Sequence, residues 1–255
     1  MHAFRPTLRA FAALTLIVPL TLALPVCAPS NTPADTAADS TAVDTAVLPG
    51  GASSAGEWVN MLPGHSLFWR GYKQQTLPAG WQFDSTSGEL SRVSGGGDII
   101  TDQQWDDFEL ELEWKIGVGG NSGIFYRASE STDVIYMNAT EMQLLDNSLH
   151  RDGKDSLTST GANYALYAAT EDASRPVGEW NTVRIVAVGP RVEHWLNGQK
   201  VVEYRMGSRE WLEKVKASKF SQWPEYGMTM GGHIGLQDHG DPVAFRNIRV
   251  RELTR

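Results

Sequence analysis

The stretch Glu141-Met142-Gln143-Leu144-Leu145-Asp146-Asn147-Ser148-Leu149-His150 places carboxyl, amide and imidazole groups close together. In an extended chain, side chains alternate between faces, so Glu141 and Gln143 stand on one side while Met142 and Leu144 face a core on the other. Asp146, Asn147 and His150 follow where the strand should end, and strand ends with their loops are where reactive groups usually gather. A carboxyl group and an imidazole sharing one hollow can pass protons near neutral pH. The same groups, Glu141, Asp146 and His150 with His239 further on, are also suitable donors for a divalent metal. Their spacing matches no metal motif, so no cofactor is assigned and acid-base work comes first.

Two further stretches sort by the same parity. In Asn121-Ser122-Gly123-Ile124-Phe125-Tyr126-Arg127, Ile124 and Tyr126 share one face, and Asn121, Phe125 and Arg127 the other. In His233-Ile234-Gly235-Leu236-Gln237-Asp238-His239, Ile234 and Leu236 face a core, with His233, Gln237 and His239 opposite. Alternation therefore predicts that Asn121, Arg127, Glu141, Gln143, Gln237 and His239 converge in one hollow. His150, Tyr164 and His233 are added to Asn121, Gln143 and Gln237 as ligand-binding candidates.

The elements that must hold these residues read as strands. Phe108 to Ile116 has the strongest alternation, apolar at even positions and acidic at odd ones through Trp114, which predicts a strand with one wet face. Its three glutamates fit a solvated sheet face better than a metal site. Trp81 to Phe83, Trp180 to Val188 and Val243 to Leu253 also read as strands. Glu89 to Val93 and Asp98 to Thr101 flank Gly95-Gly96-Gly97 and predict a hairpin, as do Arg191 to Leu196 and Lys200 to Tyr204 around Asn197-Gly198. A single helix is predicted over Ser208 to Ser218, with Ser208 as N-cap and Trp211, Leu212 and Val215 at helical spacing. It is read as an inserted crossing and not as a second layer. The sum is all-β: two antiparallel sheets in a jelly-roll sandwich with one short helix.

Ahead of this domain, Arg5 and Arg9 precede an apolar run from Phe11 to about Val26 that is broken by Pro19 and Pro25. That is the pattern of an export signal over residues 1–28, too interrupted for a membrane span. Cleavage after Ala28 competes with a lipobox reading of Leu24-Pro25-Val26-Cys27. Residues 29–56 are almost entirely Ala, Ser, Thr, Asp, Pro and Gly, which predicts a flexible tether. A tether directly after a cysteine of lipidation type favours membrane anchoring through Cys27, and places the chain in a bacterial periplasm or cell envelope. Cys27 is the only cysteine, so an intramolecular disulfide and a cysteine nucleophile are excluded. The remaining 57–255 suffice for one sandwich. A net charge of -8 without a basic run in that domain argues against nucleic acid. Nine Trp and seven Tyr offer stacking surfaces of the kind sugars use, although most such rings belong to cores.

Taken in order, Asn121 to Arg127, Glu141 to Asn147, Gly178-Glu179-Trp180-Asn181, Trp195-Leu196-Asn197-Gly198, Gly235 to Gly240 and Phe245-Arg246-Asn247-Ile248 resemble the 3-keto-disaccharide hydrolase domain family. The resemblance covers roughly Glu57 to Arg255 and departs at Leu67-Phe68-Trp69-Arg70-Gly71, where the family pattern is Leu-Phe-Asn-Gly-Lys. It implies a concanavalin-A-like jelly roll and an oligosaccharide or glycoside substrate whose glucose unit carries a ketone at carbon 3. Such a ketone acidifies the proton on carbon 2. Its removal expels the substituent at carbon 1, and water then adds to the unsaturated sugar. That route needs a base, a cation or donor at the ketone oxygen, and an acid at the leaving oxygen. His239 is the first candidate for base and Glu141 the second, Arg127 would hold the oxygen, and Asp146 or His150 would serve as acid. Two other readings stay open. Glu141-x-Gln143-x-x-Asp146 is related to the Glu-x-Asp-x-x-Glu of retaining glucanases, which need carboxyl groups about 5–5.5 Å apart. A non-catalytic carbohydrate-binding module would need only the aromatics and amides.

Overall fold

The computed structural model describes residues 48–62 and 68–255. The expected export signal, Cys27, the tether up to residue 47 and Leu67 lie outside the described residues. In chain order the elements are β1 (Ser54–Ala55), β2 (Val59–Asn60), β3 (Trp69–Gly71), β4 (Trp81–Asp84), β5 (Glu89–Arg92), β6 (Ile99–Thr101), β7 (Phe108–Ile116), β8 (Asn121–Ala128), β9 (Thr140–Leu145), β10 (Asn181–Val188), β11 (Arg191–Leu196), β12 (Gln199–Arg205), α1 (Arg209–Ala217), β13 (His233–Leu236) and β14 (Val243–Thr254). The larger sheet runs β12-β11-β10-β7-β14-β5-β4, with β1 and β2 also paired to β14. The smaller runs β3-β6-β13-β8-β9. This is the two-sheet antiparallel jelly-roll sandwich that the alternation predicts.

Period-two patterning decides which residues lie between the layers. Leu110, Leu112 and Trp114 of β7, Val183 and Ile185 of β10, and Phe245 and Val250 of β14 meet Ile124, Tyr126, Met142, Leu144, Ile234 and Leu236 of the smaller sheet in one continuous core. Each fully buried large side chain contributes about 1.5–3 kcal/mol, so this face fixes the register of both sheets. Between β11 and β12, Asn197 and Gly198 both take positive φ, 48° and 84°, as a two-residue primed turn requires.

Two readings need correction. Glu89 to Thr101 is not a hairpin: β5 belongs to the larger sheet and β6 to the smaller, so Gly95-Gly96-Gly97 is a crossover between layers. Alternation shows that a segment is a strand and not which sheet receives it. The crossover is clasped by Asp238, whose carboxylate accepts from the N–H groups of Gly96 and Gly97, both at 3.0 Å, and from Arg92 Nε at 2.6 Å. Residues 52–55, expected within the tether, are instead held against the larger sheet. Ser54 and Ala55 pair with Thr254 and Leu253, and Ala52 and Ala55 pack on Val186, Val188 and Leu253. Small side chains that look like linker composition are the ones that fit close against an edge.

α1 falls where the sequence places it, with Ser208 Oγ accepting from the Trp211 N–H at 3.1 Å. Trp211 is 2% exposed and joins a stack of rings in the order Tyr167, Tyr204, Trp211, Tyr226 and Phe220. Successive centroids in it are 5.0, 5.2, 6.2 and 3.9 Å apart. The helix is thereby fastened to β12, and it fixes the position of the segment after its C-cap, Ser218.

Candidate functional site

The reactive residues gather on the outward face of the smaller sheet. Asn121, Glu141 and Gln143 stand there because Asn121 pairs with Leu145, Gly123 with Gln143 and Phe125 with Glu141 across β8 and β9. Gln237 and His239 follow the end of β13, next to β8. These five line a hollow of about 220 Å³ together with Tyr164, which is brought in by hydrogen bonding of residues 161–164 along the free edge of β9. Tyr136, Arg151, Asp152 and Lys219 complete the lining. Five of the six residues expected to converge by parity thus lie together.

Glu141 is the centre of this hollow and is only 7% exposed. Its side chain lies back over Gly123, where an added Cβ would stand 2.1 Å from Glu141 Oε1. A glycine in a strand interior weakens the strand, and here it is what gives the carboxyl group room. Burial pushes the Glu141 carboxyl up to about 8, the Lys219 charge opposes that rise, and Asp98 adds to it. Glu141 is accordingly a protonated acid at neutral pH. Lys219 reaches in from the rim, its Nζ 4.4 Å from the centroid of the Tyr164 ring. Desolvation lowers its pKa against the opposing pull of Glu141 and Asp152. Tyr164 Oη donates to Asp152 Oδ2 at 3.3 Å, and burial pushes the phenol up to about 12.

Three amides give the hollow its recognition character. Asn121 Oδ1, Gln143 Oε1 and Gln237 Oε1 are buried with no hydrogen-bond partner. A buried acceptor left unsatisfied costs about 1–3 kcal/mol, and all three of these residues line the hollow.

Other sequence candidates are placed elsewhere or at the margin. Arg127 does not join the hollow. It takes φ 56° at a bulge where the pairing of β8 with β13 shifts register, and this turns its side chain into the interior. There the guanidinium, 1% exposed, donates to the Gly189 carbonyl at 2.7 Å and lies 3.8 Å from Asp107. It makes no salt bridge to Glu141. Asp146 is also absent: its carboxylate accepts from Ser148 Oγ at 2.5 Å and from the N–H groups of Gly119 and Ser148 at 2.8 and 2.9 Å. Those bonds hold it below the usual carboxylate range in spite of partial burial, and it faces a separate hollow with Trp114 and Arg175. His233 donates from Nδ1 to the Thr101 carbonyl at 2.6 Å, which leaves Nε2 to accept from Gln104 at 3.1 Å, so it holds strands together. His150 accepts from the Asp152 N–H at 3.2 Å, and its ring stands edge-on to that of His239 at 6.2 Å. Among the described residues no group of three or more His, Cys, Asp and Glu side chains is arranged to hold a metal. Glu141, Asp146, His150 and His239 therefore do not form a ligand set.

Lys219, Asp152, Arg151 and Tyr136 were not found by alternation, because none sits in a strand. The available signal for Lys219 was its place directly after the C-cap of the predicted helix.

A buried acid, a cation and a ring of open acceptors on a β-sandwich face define an enzyme of carbohydrate-cleaving type. The profile of the 3-keto-alpha-glucoside-1,2-lyase-like domain matches residues 57–251, and the chain belongs to this family. A 3-keto-disaccharide hydrolase of Bacteroides thetaiotaomicron is 39% identical, covering 72% of this chain and 74% of that protein. A provisionally named glycosyl hydrolase from Parabacteroides distasonis superposes with a TM-score of 0.71 at 30% identity, covering 77% of this chain and 94% of its own. A second such protein from the same organism gives 0.62 at 27%, covering 78% and 100%.

Proposed function

We propose that the chain cleaves glycosides oxidised to a ketone at carbon 3, by elimination followed by hydration. The observation that carries this is Glu141, buried and protonated beside the Lys219 cation within a ring of amide acceptors. His239 takes the proton from carbon 2. Lys219 takes the place first given to Arg127 and stabilises the negative charge that develops on the ketone oxygen. Glu141 gives its proton to the departing oxygen as the bond from carbon 1 breaks. Water then adds, its hydroxyl to carbon 1 with Glu141 recovering the proton, while His239 returns its proton to carbon 2. The balance is one water consumed, a 3-keto sugar and an alcohol released. Asn121, Gln143 and Gln237 receive sugar hydroxyls, and the hollow, smaller than the roughly 300–1,000 Å³ of drug-sized sites, suits a single oxidised ring.

The purified chain is to be incubated with a 3-keto-glucoside and with its unoxidised parent in D₂O. Cleavage of the first alone, with deuterium at carbon 2 of the product, supports the reading. Cleavage of the parent establishes an ordinary glycosidase, and binding without cleavage of either establishes a binding module. We also propose export to the cell envelope with a lipid on Cys27, on the strength of the N-terminal pattern. Metabolic labelling with a palmitate analogue should mark the wild type and not Cys27→Ser.

A further inference from the structure

The outward face of the larger sheet, remote in the fold from the hollow around Glu141, is furnished with tryptophans seated on cations. Trp58 lies over Arg249 and Arg251, with guanidinium carbons 4.5 and 4.6 Å from the ring centroid. Trp195 lies over Arg184 at 4.0 Å, its directly paired neighbour on β10. Both rings are half-buried. Between them the surface sinks into a trough whose two halves measure about 540 and 240 Å³. Glu111 and Thr182 line both halves, which makes the trough continuous from Trp58 to Trp195.

We propose that this trough binds a neutral polysaccharide chain. The two walls stand on opposite sides of β7 and β10, and with strands about 4.8 Å apart the span from β14 to β11 is about 14 Å, longer than one sugar ring. The floor is polar but balanced. Glu111 accepts from Arg249 Nε at 2.9 Å, and Glu113 accepts from Arg246 Nε at 2.8 Å and from Asn247 Nδ2 at 2.8 Å. Paired charges leave little net field to draw an anionic or cationic polymer, and the chain's overall charge of -8 disfavours an anionic one further. They do leave planar donors and acceptors between two aromatic walls, which suits a ligand with hydroxyl edges and apolar faces. A protein partner would instead favour a patch whose centre is depleted of charge. This binding does not depend on the reaction proposed for Glu141.

The test is electrophoresis of the whole chain through native gels cast with hydroxyethylcellulose, amylopectin or galactomannan, and with polygalacturonate as the anionic comparison. At least one neutral polymer should retard the wild type. Glu141→Gln should be retarded equally, while Trp195→Ala should bind about 10-fold more weakly, the equivalent of roughly 1.4 kcal/mol. Thr182 is exposed, so Thr182→Arg fills the trough without touching the core and should abolish retardation even if Trp195→Ala loosens the sheet. Four results overturn the proposal: no retardation by any neutral polymer, retardation by polygalacturonate alone, equal retardation of Trp195→Ala and Thr182→Arg, or self-association of the wild type that Thr182→Arg abolishes.

Discussion

The two outward faces of the sandwich carry glutamates set by the same alternation, yet Glu113 and Glu141 are shifted in opposite directions. On β7, Glu109, Glu111 and Glu113 stand opposite Arg251, Arg249 and Arg246 of β14, register for register. Burial pushes the Glu113 carboxyl up, but the bonds from Asn247 and Arg246 outweigh it and bring the group below its ordinary range. On β9, Glu141 stands opposite Phe125 and leans over Gly123, with no arginine across the strand. Burial pushes its carboxyl up to about 8, and no cross-strand arginine offsets that rise. Burial pushes both carboxyls up, and the neighbours across the strand decide whether that rise is offset, as it is for Glu113.

Substitutions that remove this difference should show it most strongly. Glu141→Gln keeps the shape and removes the transferable proton, so turnover of a 3-keto-glucoside should fall about 10²–10⁴-fold with the circular dichroism spectrum unchanged. Lys219→Met should cost about 10²-fold in turnover through loss of charge stabilisation. Because Lys219 holds the Glu141 carboxyl down, its removal should also move the alkaline limb of the kcat/KM profile, set in the wild type near 8, to higher pH. Gly123→Ala thrusts a methyl group into the carboxyl's place and should lower turnover about 10-fold or more while leaving a folded protein, checked by kinetics beside thermal melting.

The same contrast has a sign in stability. Glu141 titrates near 4.5 when unfolded and near 8 when folded, so between those values the folded chain binds the extra proton. Stability from this group is complete below about 4.5 and is lost as pH rises through 8, by a few kcal/mol at most. Glu141→Gln should remove that decline, and the melting-temperature gap between variant and wild type should widen in the variant's favour from pH 4.5 to 8. On the other face the smallest effect is expected. Glu111→Gln breaks a pair whose arginine is 49% exposed, so after screening it should cost about 0–1 kcal/mol, a shift of no more than about 4 °C in melting temperature.

Most of the framework was legible because it rests on alternation, and alternation is a direct imprint of burial. Phe108–Ile116 and Arg191–Leu196 are strands with the bounds the pattern suggests, and α1 lies inside its capping serines. Asn121, Glu141 and Gln143 share a face for the same reason, and Gln237 and His239 join them just past the end of β13. Arg127 shows where the rule stops: a single residue at positive φ turns its own side chain to the opposite face, and arginine gives no local sign of adopting that conformation. Lys219 and Asp152 arrive on single 3-10 turns, Lys219–Gln222 and Arg151–Lys154, which are too short to show a period in the sequence. Family resemblance located the domain, but it supplied no cross-strand partner for any individual acid.

Asp238 gives the site an attachment that its position in the chain conceals. It sits between Gln237 and His239, and its carboxylate grips the glycine passage by which the chain changes sheets, while Arg92 of the larger sheet grips it in return. One wall of the hollow is thus stapled to the opposite layer. Slippage of one layer on the other would be felt as a change of aim in Gln237 and His239, so the accuracy of that wall is a mechanical property of the whole sandwich.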